Sequence, residues 1–203
     1  SAWCMAWAMS DGPVSVLDCL KPDLLPAEIR RHVEAGGVVV AHNAAFELAI
    51  WNNVMAPRSG WPLLTPEQCR CSMAMAYAMA LPGSLEQASA AVGLDMRKDM
   101  RGNRLMRQMA KPRESKDGKN VGWWDEPDKL IGLRAYCIQD IEVERALEKR
   151  LVPLSPDEQK LWVLDQKINN RGVFVDKLAI ERAIAIAQVE KDRLDAEIKR
   201  VTD

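Results

Sequence analysis

Apolar and polar positions along the chain follow patterns that predict an α/β protein. Two short apolar runs, SAWCMAWAM and PVSVLDC, flank Ser10-Asp11-Gly12, and Asp-Gly between such runs is typical of a β-hairpin. The run GGVVVAH is rich in β-branched residues, as in a buried parallel strand. The stretches LLPAEIRRHVEAGG and NAAFELAIWNNV have helical spacing. Strands interspersed with helices favour an α/β fold with a mixed sheet.

From residue 84 onward the chain is predicted to be mainly helical. SLEQASAAVGL predicts a helix capped by Ser84, with Gln87 at the capping-box position. Composition shifts at VPLSP, which predicts a division into residues 1–152 and 153–203. The last long helix has Asp176 as its expected cap and a heptad-like apolar stripe, which typically packs against the same protein.

Asp140 is a charged residue on the predicted apolar face of its helix. At about 100° per residue, it falls on the same quarter of the circumference as an apolar stripe. That stripe consists of Leu133, Tyr136, Val143, Leu147 and Leu151. A carboxylate on an apolar face needs a basic partner, a proton or a metal ion to neutralise it.

Glu47 shows the same anomaly on a different helix, on the arc that holds Ile50, Trp51 and Val54. One such acid is usually explained by a salt bridge or a cap. Two together, with Tyr136 and Asn43 each four residues before an acid, favour a divalent-metal site. Hard cations such as Mg²⁺ prefer carboxylate oxygens, and the chain has only two histidines.

Composition and charge narrow the class of protein. With 48% hydrophobic and 28% charged residues, the chain has the composition of a soluble globular protein, and no run is apolar enough to cross a membrane. Five cysteines without zinc spacing suggest reduced thiols in a cytoplasmic protein. The net charge is −1, but residues 97–119 carry nine Lys or Arg against three Asp or Glu. That segment indicates either a polyanion held at one place or a solvated loop or helix face.

Several segments in order resemble one protein family. VVVAHNAAFELAIW is similar to the second motif of DEDD-superfamily 3′–5′ exonucleases, and AYCIQD to the Tyr-x-x-x-Asp third motif of their tyrosine subclass. CSMAMAYAMALPGSLEQASAAVGL, GNRLMRQMAKPR and WWDEPDKL resemble the proofreading domains of phage-type family A DNA polymerases. LSPDEQKLWVLDQKINNRGVFVD resembles the junction into the polymerase thumb. The resemblance covers essentially the whole chain.

The resemblance implies a fold, a domain organisation and a reaction. Residues 1–152 would be an exonuclease-like domain with an RNase H-like mixed sheet flanked by helices, and residues 153–203 the start of a polymerase domain. The reaction would be two-metal hydrolysis, with Mg²⁺ or Mn²⁺, of the 3′-terminal phosphodiester of single-stranded DNA. The protein would act in the cytoplasm of a bacterial or phage-infected cell.

The resemblance also assigns roles to individual residues. Asp140 and Glu47 would ligate metal, and Tyr136 would orient the attacking water. Asn43, with its neighbours His42 and Phe46, would contact the DNA strand or brace the site. The DNA phosphates would meet five basic residues: Arg101, Arg104, Arg107, Lys111 and Arg113. Trp123 and Trp124 are candidate stacking platforms, whereas most of the seven Trp are expected in the core.

The chain departs from the family pattern at the first motif. The family has Asp-x-Glu on its first strand, whereas Asp140-Ile141-Glu142 is already assigned here to the third motif and Asp195-Ala196-Glu197 lies in the last helix. We therefore expect a fragment, or a split protein whose first strand comes from another chain, with weak metal binding and little activity by itself. Without that central strand, the hairpin and the GGVVVAH strand would have no shared hydrogen-bonding neighbour. Many relatives carry Asp at the position of Glu47. The longer side chain of Glu shifts the carboxylate oxygens, so Glu47 would ligate the metal directly or through a water molecule.

Three functions remain open from the sequence. The first is the proofreading exonuclease, with a polymerase domain in the same or a companion chain. The second is a catalytically inactive domain that binds single-stranded DNA or supports a polymerase. The third, an exoribonuclease of the same superfamily, is disfavoured by the INNRGVFVD junction.

Overall fold

The structure is a computed structural model of the 203-residue chain, and it describes residues 2–19, 25–94, 100–114, 121–124 and 126–202. The strands are β1 (Cys4–Trp7), β2 (Ser15–Asp18), β3 (Val39–Ala41), β4 (Cys69–Cys71), β5 (Arg113–Glu114) and β6 (Val121–Gly122). The helices of the first half are α1 (Ala27–Glu34), α2 (Ala44–Ile50), α3 (Ala56–Ser59), α4 (Ser72–Ala78) and α5 (Leu85–Ala91). Those of the second half are α6 (Met100–Met109), α7 (Pro127–Glu148), α8 (Pro156–Arg171) and α9 (Lys177–Thr202).

The predicted α/β class is confirmed. The predicted hairpin is β1 paired antiparallel with β2, with Cys4 opposite Asp18, and GGVVVAH supplies β3, which pairs in parallel with β4. Across the described part of the chain, the strands form three separate two-stranded sheets. The hairpin and β3 therefore share no strand neighbour within these ranges. The RNase H-like arrangement stays a prediction.

Local chemistry explains where several elements begin and end. Ser84 Oγ accepts a hydrogen bond from the Gln87 backbone N–H at 3.2 Å, which confirms the predicted cap of α5. Asp176 caps α9 in the same way through the backbone N–H of Ala179 at 3.0 Å. Helix α1 ends before Gly36, whose φ of +77° is a left-handed conformation that glycine adopts without strain.

Helix α7 is the central element around which the site is built. Its predicted apolar stripe is confirmed, since the four helix residues Leu133, Tyr136, Val143 and Leu147 are all buried. Leu147 is completely buried and packs in a cluster with residues of α4 and α5. Asp140, in the middle of the stripe, is half-buried.

The β1–β2 hairpin is attached to α7 by polar contacts as well as by packing. Arg134 of α7 forms an ion pair with Asp18 at 2.6 Å, at the end of β2. Arg145, three turns further along, donates to the backbone carbonyl of Gly12 at 2.6 Å. The hairpin is thus held to α7 at two separated points.

The chain forms two compact units, residues 1–167 and 168–203. The first part of α8 belongs to the first unit, because Trp162 packs against its core and the Gln159 side chain donates to the Cys69 carbonyl at 3.2 Å. In the second unit, every described side chain is exposed. The apolar stripe of α9 is therefore uncovered in the described residues, where packing was expected. The functional division at residue 152 stays a prediction.

No helix in the described ranges combines the length and the hydrophobicity that a membrane span requires.

Candidate functional site

Asp140 and Tyr136 lie one turn apart on α7 and form the first part of the candidate site. The Tyr136 hydroxyl accepts a hydrogen bond from the Asn103 side chain at 3.3 Å. Burial is the main cause that raises the pKa of Tyr136, and the charge of Asp140 and a hydrogen bond to its carboxylate add to the rise. The Tyr136 ring is therefore fixed in the core while its hydroxyl is held between α6 and Asp140.

Glu47 and Asn43 lie at the start of α2. Asn43 precedes the first helical turn with a φ of +67°, in the left-handed region that asparagine tolerates better than most residues. Its carbonyl accepts a hydrogen bond from the Phe46 N–H at 2.8 Å, which starts the helix. Glu47 follows in the first turn, with much of its surface exposed. Surrounding protein still raises the pKa of its carboxyl by removing part of its hydration.

The acids of α2 and α7 lie in one electrostatic neighbourhood. Glu144, on α7 one turn after Asp140, has a pKa raised to about 8, mainly by burial. The charges of Glu47 and Asp140 both contribute to that rise. The pKa of the Cys137 thiol is also raised. The main cause of that rise is the hydrogen bond with Cys4, and the charges of Asp140 and Glu47 add to it. The structure thus brings Glu47 and Asp140 to the same side of α7.

Glu144 is a member of this cluster that the sequence reasoning missed. A hydrogen bond from the His42 backbone opposes the rise of its pKa, so Glu144 lies against the turn between β3 and α2. Its position four residues after Asp140 was a usable signal, because residues i and i+4 share a helix face. Asn103 was missed as well, and its contact with Tyr136 spans two helices, so sequence spacing carried no signal for it.

His42 and Phe46 take different positions beside the site. Both ring nitrogens of His42 are engaged within the protein, one with Ser72 Oγ at 3.0 Å and the other with the Gly83 carbonyl at 2.9 Å. Burial lowers the pKa of His42, so the imidazole is held neutral as a brace between β3, α4 and the loop before α5. Phe46 is 58% exposed and presents its ring to solvent. The predicted substrate contacts of both residues stay predictions.

The predicted basic segment is partly described. Its central portion forms α6, on which Arg101, Arg104 and Arg107 are exposed. Met109 anchors the opposite side of the helix, completely buried, and Asn103 faces Tyr136. Residues 97–99 and 115–119 of the segment lie outside the described residues. The exposed arginines therefore stand on a helix that packs directly against the acid-bearing α7.

Lys111, Arg113 and the two candidate tryptophans follow α6. Lys111 and Arg113 are both exposed. Trp124 has its ring covered by Lys129 at 4.0 Å and by Arg113 at 5.0 Å, in cation–π geometry. Trp123 is 45% exposed and meets Trp3 edge to face, with ring centroids 6.1 Å apart. Trp123 is thus the more available stacking surface, while Trp51 and Trp61 are buried as expected.

The donor chemistry of the acidic cluster fits a hard divalent cation, but its ligand set is incomplete. Carboxylate oxygens are the ligands that Mg²⁺ and Mn²⁺ prefer. Among the residues that the structure describes, however, no group of three or more His, Cys, Asp or Glu side chains is close enough to hold a metal ion. Asp140 and Glu47 are accordingly candidate ligands that need further donors, and their assignment stays a prediction.

Comparison with known proteins shows a similarity to a phage DNA polymerase. It is 36% identical to a protein named DNA polymerase of Bacillus phage SP02, over an alignment of 207 positions. The alignment covers 97% of this chain and 31% of that protein, so the chain spans about a third of the relative's length. No protein-family model matches the chain, and no solved structure gives a significant match. The chain is therefore related to one region of a phage DNA polymerase.

Proposed function

We propose that this chain is the 3′–5′ exonuclease region of a family A DNA polymerase, which hydrolyses the 3′-terminal phosphodiester of single-stranded DNA. The similarity to a phage DNA polymerase supports the link to a polymerase. The finer proposal, an exonuclease of the tyrosine subclass, rests on the site. Its further partner is a polymerase domain in the same or a companion chain.

One observation carries this proposal: acids from two distant segments act on the same groups. Glu47 from α2 and Asp140 from α7 both raise the pKa of Glu144. Repulsion between carboxylates is unfavourable for folding, so a protein that gathers them gains from it only if a cation or a proton binds. A salt bridge or a cap would account for one such acid. It does not account for a cluster drawn from two helices.

The residues of the chain can perform several parts of the reaction. Asp140 holds the Tyr136 hydroxyl by a hydrogen bond, and Tyr136 would orient the attacking water molecule as a hydrogen-bond partner. The exposed arginines of α6 would neutralise phosphates of the incoming strand. Asn43 and the exposed Phe46 ring would receive the terminal nucleotide, by hydrogen bonding and by stacking respectively.

A bound metal ion would complete the chemistry. Asp140 and Glu47 are the described residues that would hold Mg²⁺ or Mn²⁺, which would act as a Lewis acid on the phosphodiester.

The test is digestion of a 5′-labelled single-stranded oligodeoxynucleotide. The chain would be assayed by itself and together with any residues that its gene encodes on either side. We expect products shortened from the 3′ end, formed with Mg²⁺ or Mn²⁺ and abolished by a chelator. The variant Asp140→Asn should lower the rate by roughly 10²–10³-fold, the usual loss when one charge-stabilising group of an active site is removed.

The matched control is Glu142→Gln, the same chemical change on the same helix. Glu142 pairs with Arg145 at 2.6 Å near the surface and should not be needed for hydrolysis. Both variants should keep the melting temperature of the parent to within a few degrees. Equal digestion by Asp140→Asn and the parent would rule out the assigned site.

The exposed basic face of α6 favours a second candidate, a domain that binds single-stranded DNA without cleaving it. Binding needs only phosphate contacts and stacking, which Arg104, Arg107 and Trp123 offer without any metal. Salt-sensitive binding without metal-dependent digestion, in the extended protein as well, would support this candidate over the nuclease.

A further inference from the structure

Two cysteines from opposite ends of the first unit meet beside the candidate site. Cys4 lies in β1 and Cys137 in α7, 133 positions apart in sequence, with their sulfur atoms 3.6 Å apart. Both are free thiols. A disulfide requires a sulfur–sulfur distance of about 2.05 Å, so the two atoms need to approach by only about 1.5 Å.

The surrounding contacts keep the two thiols together. Arg134, one turn before Cys137, is paired with Asp18, the residue opposite Cys4 in the hairpin. Arg145, two turns after Cys137, holds the hairpin turn through the Gly12 carbonyl. Because α7 is bound to the hairpin on both sides of Cys137, closing the gap requires small side-chain adjustments rather than movement of whole elements.

The other three cysteines are less suited to reaction. Cys19, Cys69 and Cys71 are each only 2% exposed, and burial raises the pKa of Cys19 and of Cys69 to about 11. Cys4 and Cys137 are half-buried, which leaves access for a small reagent. The hydrogen bond between the two thiols lowers the pKa of Cys4, which favours the thiolate, the form that reacts with oxidants.

We propose that Cys4 and Cys137 are a redox modification site, at which a small two-electron oxidant such as hydrogen peroxide joins them in a disulfide that ties β1 to α7. In the first step, the Cys4 thiolate attacks one peroxide oxygen. The O–O bond breaks, and the products after protonation are Cys4 sulfenic acid and water. In the second step, the Cys137 sulfur attacks the Cys4 sulfur, the S–O bond breaks, and the hydroxyl leaves as water with the Cys137 proton.

The disulfide would change the rigidity of the candidate site. Cys137 follows Tyr136 directly and precedes Asp140 by three residues, so a bond to Cys4 holds the helical turn that carries both. It would also close a loop of most of the first unit, which restricts the unfolded chain. A dithiol reductant would reverse the change. In a reducing compartment, such a bond would therefore form only transiently.

The experiment uses the whole chain, treated with hydrogen peroxide, then alkylated and digested without reduction. We expect an intact-mass loss of about 2 Da per molecule, measured before alkylation, and after digestion one cross-linked peptide pair that contains Cys4 and Cys137. The oxidised protein should melt several degrees higher than the reduced protein, and dithiothreitol should remove the difference. Neither readout depends on nuclease activity.

Variants identify the pair. Cys4→Ser and Cys137→Ser should each abolish the cross-link and the thermal shift, while Cys69→Ala, at a buried cysteine, should retain both. The peptide map of the unaltered chain decides the matter even if a variant folds poorly. The proposal is overturned if Cys4 and Cys137 stay reduced, are oxidised separately to sulfinic acids, or bond to Cys19 instead.

Discussion

Among individual side chains, Asp140 illustrates how one polar residue on an apolar stripe can mark a site. Its neighbours on the stripe are buried, and its carboxylate is bound to the buried Tyr136. Glu144, one turn further along the same helix, has a pKa that burial raises to about 8. Glu47 from α2, and Asp140 and Glu148 from α7, all act on Glu144. Burial is therefore the main cause of the raised pKa of Glu144, and repulsion from the neighbouring acids adds to it.

We expect Glu144 to make the stability of the protein depend on pH. The folded state keeps its proton up to about pH 8, whereas the unfolded chain loses it near the ordinary value of 4.5. The folded state thus binds more protons between these values, so the free energy of unfolding should fall as pH rises through this window. Glu144→Gln, which is neutral at every pH, should reduce that fall.

The measurement is urea unfolding at about pH 5 and about pH 9, in the parent and in Glu144→Gln. Between the lower and the higher pH, the free energy of unfolding of the variant should rise by roughly 1–2 kcal/mol relative to that of the parent. Solvent screening keeps this difference below the full value that the pKa shift would give. Glu142→Gln should show no such gain. Because the pKa of Glu47 is also raised, part of the dependence of stability on pH should remain in the Glu144→Gln variant. Parallel pH profiles for all three proteins would contradict the assignment.

At the scale of secondary-structure elements, α7 lies between the hairpin and the pair of helices α4 and α5. One side receives the hairpin through Arg134 and Arg145, and the other meets α4 and α5 around the completely buried Leu147. Helix α6 packs on it as well and brings Asn103 to Tyr136. Tyr136 and Asp140 thus lie on the helix against which the hairpin, α4, α5 and α6 all pack.

Leu147→Ala should therefore destabilise the first unit strongly. Removing a fully buried leucine typically costs about 2–5 kcal/mol, because transfer energy is lost and a cavity remains. Chemical denaturation monitored by tryptophan fluorescence would measure the change. Leu161→Ala is the matched control, since Leu161 is 64% exposed and its loss should change stability by less than about 0.5 kcal/mol. Similar midpoints for both variants would show that α7 does not hold this core together.

Across the described part of the chain, acidic and basic side chains are concentrated on different neighbouring helices. The acidic cluster lies on α2 and α7, whereas the exposed arginines occupy the adjacent α6, although the net charge is only −1. Such a division suits a polyanion that is bound along one face and delivered to one site. It predicts binding of single-stranded DNA that depends on salt.

The double variant Arg104→Ala with Arg107→Ala tests this expectation. Each lost phosphate contact on a single strand should lower the slope of log affinity against log salt by about 0.7, so the slope should fall by about 1.4. Fluorescence anisotropy with a labelled oligonucleotide at several salt concentrations measures it. The control removes two exposed charges elsewhere, by Arg150→Ala with Lys160→Ala. An unchanged slope in the α6 variant would exclude this helix from DNA contact.

Much of the local structure was predictable from sequence. Turn and cap residues such as Gly36, Ser84 and Asp176 act on their own neighbours, so their effects can be read from the order of residues. Helical spacing likewise placed Asp140 on the buried stripe of α7. The π-helical turn at Trp51–Met55 was not predictable, because it depends on how Trp51 and Met55 are accommodated in the core.

The amino-acid order alone therefore determined the α/β class, the hairpin, the caps and the two helices on which the unusual acids lie. Folding decided which acids affect one another, namely Glu47 and Asp140 on Glu144, and which residues support them, such as Asn103 for Tyr136. It also brought Cys4 to Cys137. The physical reason is that helical periodicity specifies one face of one helix, whereas the partner of that face depends on long-range packing among segments that sequence spacing does not relate.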